Sequence, residues 1–421
     1  MHGALDYLVF ECLAERTIAR ETLTKLGNPA LGYTPNLTDR LGAVLKTCVD
    51  NGTRIVTNMG AANPQGARRA LRRWAQDNQV AMGPVAVVEG DDVLEQIRAN
   101  PGMKMLECGE PIESILPQVT SANAYLGADV VAEALSTGAQ LVITGRVADP
   151  ALFLGCMLHG LGWSYDDYAR LGVGTFAGHL LECGTQLSGG CFADPGRKEV
   201  GDLAHVGLPF ADVGVNGDLS LGKMASQGGR LDISTCSEQA LYEIHDPASY
   251  TTPDCVLDIT QMRFTQVAPD RVAVHGVRAR PRTDSYKVTV GYKAGWQGEG
   301  EIGYAGPNAL GRARLSAAIV KQRLEESGHT FLDYRVDYIG YSSLHGEFGQ
   351  FAEPYEVRLR ISGRSQSKQA AQALGFEVKT LNLNGPAGAG GTSSAVREVI
   401  GVKSILMPRS WVHPVVSLEA A

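Results

Sequence analysis

The chain has no hydrophobic run approaching the roughly 18 residues that a membrane helix needs, so no membrane span or membrane partner is expected. Its first residues, MHGALDYLVFECLAERT, show no basic stretch leading into an apolar core and a small-residue cleavage site. No secretory leader is read, and a cytoplasmic location is expected. Extended basic tracts are missing too, and the net charge is −7. That argues against a nucleic-acid partner, because phosphate binding relies on clustered Lys and Arg. The eight cysteines (Cys12, Cys48, Cys108, Cys156, Cys183, Cys191, Cys236 and Cys255) include no C-x-x-C pair. Reduced, mostly buried thiols are expected in place of a disulfide framework or zinc knuckle. Internal repeats and low-complexity tails are absent.

What remains is a globular composition, 44% hydrophobic and 20% charged over 421 residues. That length exceeds the usual limit of one core, so two domains with room for a cleft are expected. Residues 1–195 alternate strand and helix signals. LDYLVFE (5–11), TRIVTN (53–58), PVAVVE (84–89) and QLVITG (140–145) are apolar or β-branched runs, with helical periods in segments such as RRALRRWAQDNQ and ADVVAEALSTGA. Nearly continuous apolar strands indicate a parallel sheet covered by helices on both faces.

Residues 196–421 read as an α+β domain, with the boundary in SGGCFADPGRKEVGD. VLDITQMRFTQVAPDRVAVHGV predicts an antiparallel hairpin turning at APDR, and SYKVTVGYKAGWQGEGEIGYAG a second one. Helices are expected over NALGRARLSAAIVKQRLEES and SQSKQAAQALGFEV, next to strands TFLDYRVDYIGY and YEVRLRIS. The Gly-rich stretch 384–394 reads as a loop feeding a helix. Its backbone N–H groups, with Gly390, Gly391, Thr392, Ser393 and Ser394, would cradle an anion. Gly391 stands where a nucleotide-binding P-loop needs Lys, which excludes ATP by that route.

In parallel α/β sheets ligands sit beyond the carboxyl ends of the strands. That rule selects Glu11 and Glu15, then Asn58, Gly60 and Asn63 in TNMGAANPQGA, then Glu89, Asp91 and Asp92 in VEGDD, and Arg146 with Asp149 in TGRVADP. Arg146 is placed to hold a carboxylate, phosphate or carbonyl oxygen through its planar fork, with Asp149 orienting it or moving a proton. The competing reading is a local ion pair in which Asp149 caps the helix that begins at Pro150. TNMGAANPQGA has small residues that let a loop approach a ligand, but it lacks the dinucleotide G-x-G-x-x-G spacing. In GHLLECGTQLSGGCF, His179 and Glu182 fall on one helical face, as acid–base or metal-binding pairs do, and Gln186 and Ser188 offer hydrogen bonds. No cofactor is expected. A divalent metal would need three ligands among His179, Glu182, Asp149, Glu89 and Asp91. Ser188 and Cys183 are possible nucleophiles outside any G-x-S-x-G elbow.

Taken in order, LDYLVFECLAERT, NMGAANPQG, VEGDD, ANAYLGADVVAEAL, VITGRVADPALFLG, AGHLLECGTQLSGG, LYEIHDPASYTTPDCVLD, GEGEIGYAGPNALGRARL and NGPAGAGGTSSAVREVIGV resemble the acyclic terpene utilisation (AtuA-like) family. The resemblance covers nearly the whole chain and implies a role in breaking down small acyclic acids as thioesters. In one respect the chain departs from it: family members generally begin with an additional strand and a glycine-containing loop before the segment at Leu5. A sheet edge left without that strand would be covered by a subunit partner, and a homo-oligomer is expected.

The leading expectation is an enzyme acting on a small carboxylate or acyl-CoA by hydration, dehydration or another lyase step. Arg146 would serve the developing oxyanion, Asp149 or Glu89 the proton, and His179 with Glu182 an alternate acid–base pair. The expected substrate contacts are Asn58, Gly60, Asn63, Glu11, Asp91, Gln186, Ser188, Gly390, Gly391 and Thr392. The alternatives are a hydrolase, or a non-catalytic acyl-CoA-binding or assembly subunit of a carboxylase or ligase.

Overall fold

Four short apolar strands form the frame of the first compact unit, which comprises Met1–Gly291 and Val402–Ala421. The computed structural model describes residues 5–346 and 352–419. Strands β1 (Tyr7–Phe10), β2 (Arg54–Thr57), β3 (Val85–Glu89) and, after β4 (Val119–Ala124), β5 (Leu141–Thr144) appear in that chain order. β1 pairs with β2, β2 with β5 and β5 with β3, all in parallel, so their carboxyl ends share one side. Helices α1 (Glu15–Gly27), α2 (Leu37–Asp50), α3 (Pro64–Asp77), α4 (Leu94–Ala99), α5 (Ala128–Ser136) and α6 (Asp149–Leu161) belong to the same unit. The strands β3 and β5 are buried almost throughout, which accounts for their unbroken apolar sequence. Asn63 caps α3 by accepting from the Gly66 N–H, with Pro64 at the start of the helix.

One member of this sheet has no counterpart in the sequence reading: the C-terminal strand Val415–Glu419 runs antiparallel along the outer side of β3. Glu419 lies between Arg68 (2.9 Å) and Arg72 (3.3 Å) of α3, so a charge contact adds to the strand pairing.

The unit continues through α7 (Tyr168–Glu182), the antiparallel strands β6 (Pro209–Val213) and β7 (Leu219–Lys223), and α8 (Ile233–Leu241). Its next strands are β8 (Tyr250–Thr251), β9 (Cys255–Asp258), β10 (Arg263–Ala268), β11 (Arg271–His275) and β12 (Arg278–Pro281). The hairpin expected at APDR is present as β10 and β11, with Ala268 opposite Arg271 and Asp270 at φ +53° in the turn. Phe176, Leu180, Leu187, Leu221 and Leu257 share one core across α7 and these strands. The boundary expected at residues 195/196 falls inside this unit, because the antiparallel strands after it pack on α7 and not on a core of their own.

The second unit, Tyr292–Gly401, carries most of the strand β13 (Ser285–Ala305), α9 (Ala309–Glu326), β14 (Asp333–Ile339), β15 (Glu356–Ser365), α10 (Lys368–Asn384) and much of β16 (Ala389–Pro408). The sheet order is β14–β15–β13–β16, and α9 and α10 bury Ala313, Val320, Leu374 and Val378 with Leu359 and Ile361. Two expectations are corrected here. The second hairpin, over SYKVTVGYKAGWQGEGEIGYAG, is instead the single strand β13. Two of its glycines serve close packing and not a turn: a Cβ on Gly298 would lie 2.1 Å from the Ala371 carbonyl, and one on Gly300 2.6 Å from Val378. The loop-to-helix reading of 384–394 is also overturned, since residues 389–408 are extended and rich in β-branched side chains. Gly298→Ala should therefore lower the stability of this unit by about 1–3 kcal/mol. Thermal denaturation would show it, whereas an unchanged midpoint would mean that α10 lies further from the strand.

Candidate active site

The parallel register carries β1, β2 and β5 into one polar cluster. Glu11 Oε1, just past β1, accepts from the Leu13 N–H at 2.8 Å and from Asn58 Nδ2 at 3.0 Å. Asn58, fully buried past β2, accepts from the Cys12 N–H in return, so it ties the two strand exits together. Gly145 follows β5 with no room for a side chain, since a Cβ would lie 2.5 Å from Asp91 Oδ1. Asp91 Oδ2 accepts from the Arg146 N–H (3.0 Å) and from Asn123 Nδ2 (2.9 Å), and burial pushes its carboxyl up to about 6 against those bonds.

Arg146 is wholly buried. Its Nε and Nη2 donate to the Val147 carbonyl, Nη1 to the Leu13 carbonyl, and Nη2 also to Asp149 Oδ1. The face of the guanidinium lies 4.5 Å from the Tyr125 ring centroid. A fork engaged on this many protein acceptors positions the strand exits and leaves little for a ligand. Asp149 is not the cap of α6, a place held by Ala148, but its first residue, and its carboxylate is 35% exposed. The ion-pair reading of TGRVADP is thus the one the structure shows, with Asp149 as the member that reaches solvent.

Tyr125 joins this cluster to a second layer. Its hydroxyl donates to Glu15 Oε1 at 2.6 Å and accepts from Thr289 Oγ1 at 3.3 Å. Lys287 Nζ lies 3.4 Å from the same Glu15 oxygen and 4.9 Å from the Tyr125 ring centroid. Burial opposes the Glu15 charge, but the Tyr125 bond, the helix backbone, Lys287 and Arg146 outweigh it and hold the carboxyl at about 2. Burial, followed by the Glu15 charge among other effects, pushes the Tyr125 phenol up.

The third part comes from the end of α7. His179 is fully buried, with Nδ1 3.0 Å from Glu182 Oε1 and Nε2 3.0 Å from the Gln239 carbonyl of α8. Gln239 Nε2 in turn donates to the His179 carbonyl. Burial, then Glu11 and Glu243, push the Glu182 carboxyl up, partly offset by its bond to His179. Tyr250 packs on the His179 ring at 5.8 Å and is close enough to both Tyr125 and Glu182 for their charges to bear on its phenol, which burial pushes up. Cys183 lies beside Gln239 and is pushed up to about 11 by burial, so it is not a prepared nucleophile.

The remaining candidates lie elsewhere or have structural duties. Glu89 accepts from Gln65 Nε2 at 2.7 Å beside the C-terminal strand. Asn63 is the α3 cap, and Gly60 lies so close to Thr144 that a Cβ would come within 2.5 Å of its carbonyl. Ser188 is buried with its Oγ unpaired, and Gln186 sits in the short 3-10 turn Gly184–Gln186. Gly390, Gly391 and Thr392 belong to β16 in the second unit, where Thr392 Oγ1 accepts from Asn382. They are not at a helix N-terminus, so the anion cradle expected there is not formed.

Among the described residues, no three or more His, Cys, Asp or Glu side chains are grouped to hold a metal ion, and no helix is long and apolar enough to cross a membrane. Two surface grooves of about 590 and 810 Å³ lie on the β6, β7, β10 and β11 sheet and contain none of these residues, so the site is identified by its chemistry. Sequence reasoning missed Tyr125, Lys287, Gln239 and Tyr250, which arrive from separate segments with no local motif. No curated protein and no solved structure matches the chain. The model of the acyclic terpene utilisation family protein AtuA matches residues 1–418, and the chain belongs to that family.

Proposed function

We propose that this protein is an acid–base enzyme of acyclic, branched-chain catabolism, performing a hydration, dehydration or related lyase step on a small carboxylate or its CoA thioester. One observation carries the reading: along the polar chain that runs from Glu15 through Tyr125 and Tyr250 to Glu182, Glu15 is held at about 2 while Glu182 is pushed up. Carboxyl groups driven in opposite directions at one site divide acid and charged roles between them. Glu182, which shares a hydrogen with His179, is the acid. Asp149, the half-exposed carboxylate beside Arg146, is the base. Lys287, 45% exposed, is the cation for a developing enolate oxygen, with Glu15 and Tyr125 fixing its position. This role replaces the direct oxyanion contact expected of Arg146.

The test is turnover of a panel of short and branched acyl-CoAs by the wild type and by Asp149→Asn, Glu182→Gln and Lys287→Met. Each substitution should reduce kcat by about 10²–10⁴-fold with the fold intact. If the protein binds thioesters and none is converted, the non-catalytic acyl-CoA-binding subunit is the better description.

A further inference from the structure

The hydrogen positions around His179 can be deduced from its partners. The Gln239 carbonyl only accepts, so the imidazole Nε2 facing it must carry a hydrogen. Similarly, the His179 carbonyl only accepts, so the Gln239 atom bonded to it is Nε2 and the amide oxygen points the other way. With Nε2 protonated, His179 Nδ1 and Glu182 Oε1, 3.0 Å apart, share one hydrogen, and the pair is neutral overall whichever of the two atoms carries it.

Two acceptors are left over. Glu182, with only 9% of its side chain exposed, has a buried Oε2 without a hydrogen-bond partner, and the buried Gln239 Oε1 has none either. An unpaired buried acceptor is unfavourable, so both oxygens favour a partner that brings hydrogens. The surroundings rule out an anion as that group: Glu11 and Glu243 lie near Glu182, and the Arg146 donors are engaged. They also rule out the need for a cation, since the His179–Glu182 pair is neutral overall.

We propose that Glu182 Oε2 receives a neutral hydroxyl group of the substrate, so that the molecule acted on is a hydroxylated acyclic compound. The inference rests on the reading of this cluster as the active site. It further specifies the substrate: its carboxyl or thioester end lies away from Glu182, and its hydroxyl is the group delivered to the acid. For a dehydration, the Glu182 carboxyl turns its proton from His179 Nδ1 to that hydroxyl oxygen as the C–O bond breaks and water leaves, while Asp149 takes the proton from the neighbouring carbon.

Isothermal titration with 3-hydroxy-3-methylbutanoyl-CoA and 3-methylbutanoyl-CoA, which differ only by the hydroxyl, tests this. The wild type should bind the hydroxylated member about tenfold more tightly. Glu182→Gln should keep that preference, because its amide can donate to His179 Nδ1 and leave an oxygen in the Oε2 position, yet it should lose turnover. Glu182→Met should abolish the preference. Equal affinity for the two thioesters, or a preference that survives in Glu182→Met, overturns the proposal and means that Oε2 is met by resident water only. If neither thioester binds, the neutral pair 3-methylbutane-1,3-diol and 3-methylbutan-1-ol is used, and no preference there also overturns it. Turnover that persists without hydroxyl preference refutes this inference and leaves the acid–base function standing. A hydroxyl preference in binding without any turnover refutes the function alone.

Discussion

Replacing Arg146 with methionine is expected to destabilise the first unit by about 2–4 kcal/mol, because buried acceptors left without donors cost about 1–3 kcal/mol each. The guanidinium has no exposed surface, and its loss leaves the Leu13 and Val147 carbonyls and the Asp149 carboxylate without their donors. It also uncovers the Tyr125 face on which it lies. Arg146→Lys should recover only part of the loss, because a single ammonium cannot reach three acceptors held in a planar fork. Urea denaturation of the two variants measures both effects. If Arg146→Met loses less than about 1 kcal/mol while affinity for an anionic substrate collapses, Arg146 is the substrate clamp and its contacts with the protein are incidental.

That experiment separates two meanings of the segment TGRVADP, and the contrast shows what a sequence can convey. The strand exits were legible because strands buried on both faces leave unbroken apolar runs, and the residue after each run must lie at the carboxyl end. That argument placed Glu11, Asn58 and Arg146 together correctly. The use to which Arg146 is put was not legible, since it depends on the Leu13 carbonyl and the Tyr125 ring, contributed by distant segments. Glycine misled over β13 for a physical reason. The same residue permits a turn and permits a helix to press on a strand, and only the helix α10 against Gly298 and Gly300 decides between them. His179 and Glu182 were paired correctly from their spacing, yet the hydrogen carried by Nε2 depends on the Gln239 carbonyl, 60 residues away.

Acidity should change stability in a direction opposite to that of most proteins over one interval. Asp91 and Asp254 are wholly buried, and burial is the main reason each is pushed from 3.8 to about 6. A carboxyl raised on folding contributes stability that is fully present below its unfolded value and is lost as the pH rises through its folded value. Each should therefore cost up to about 3 kcal/mol between roughly pH 4 and 6.5, from the shift at 1.36 kcal/mol per unit. Glu15 acts in the other sense: lowered from 4.5 to about 2, it contributes stability above the higher value that is lost as the pH falls toward the lower. The stability maximum is accordingly expected near pH 4–5, with a decline toward neutrality. Asp254→Asn isolates one contribution, because an amide oxygen can still accept from the Ala128 N–H and the Tyr165 hydroxyl that Asp254 Oδ1 holds. Chemical denaturation across pH 4–7.5 should show about half the decline in this variant, and a wild-type profile that rises through that interval would mean that Asp91 and Asp254 are ionised without penalty in the folded chain.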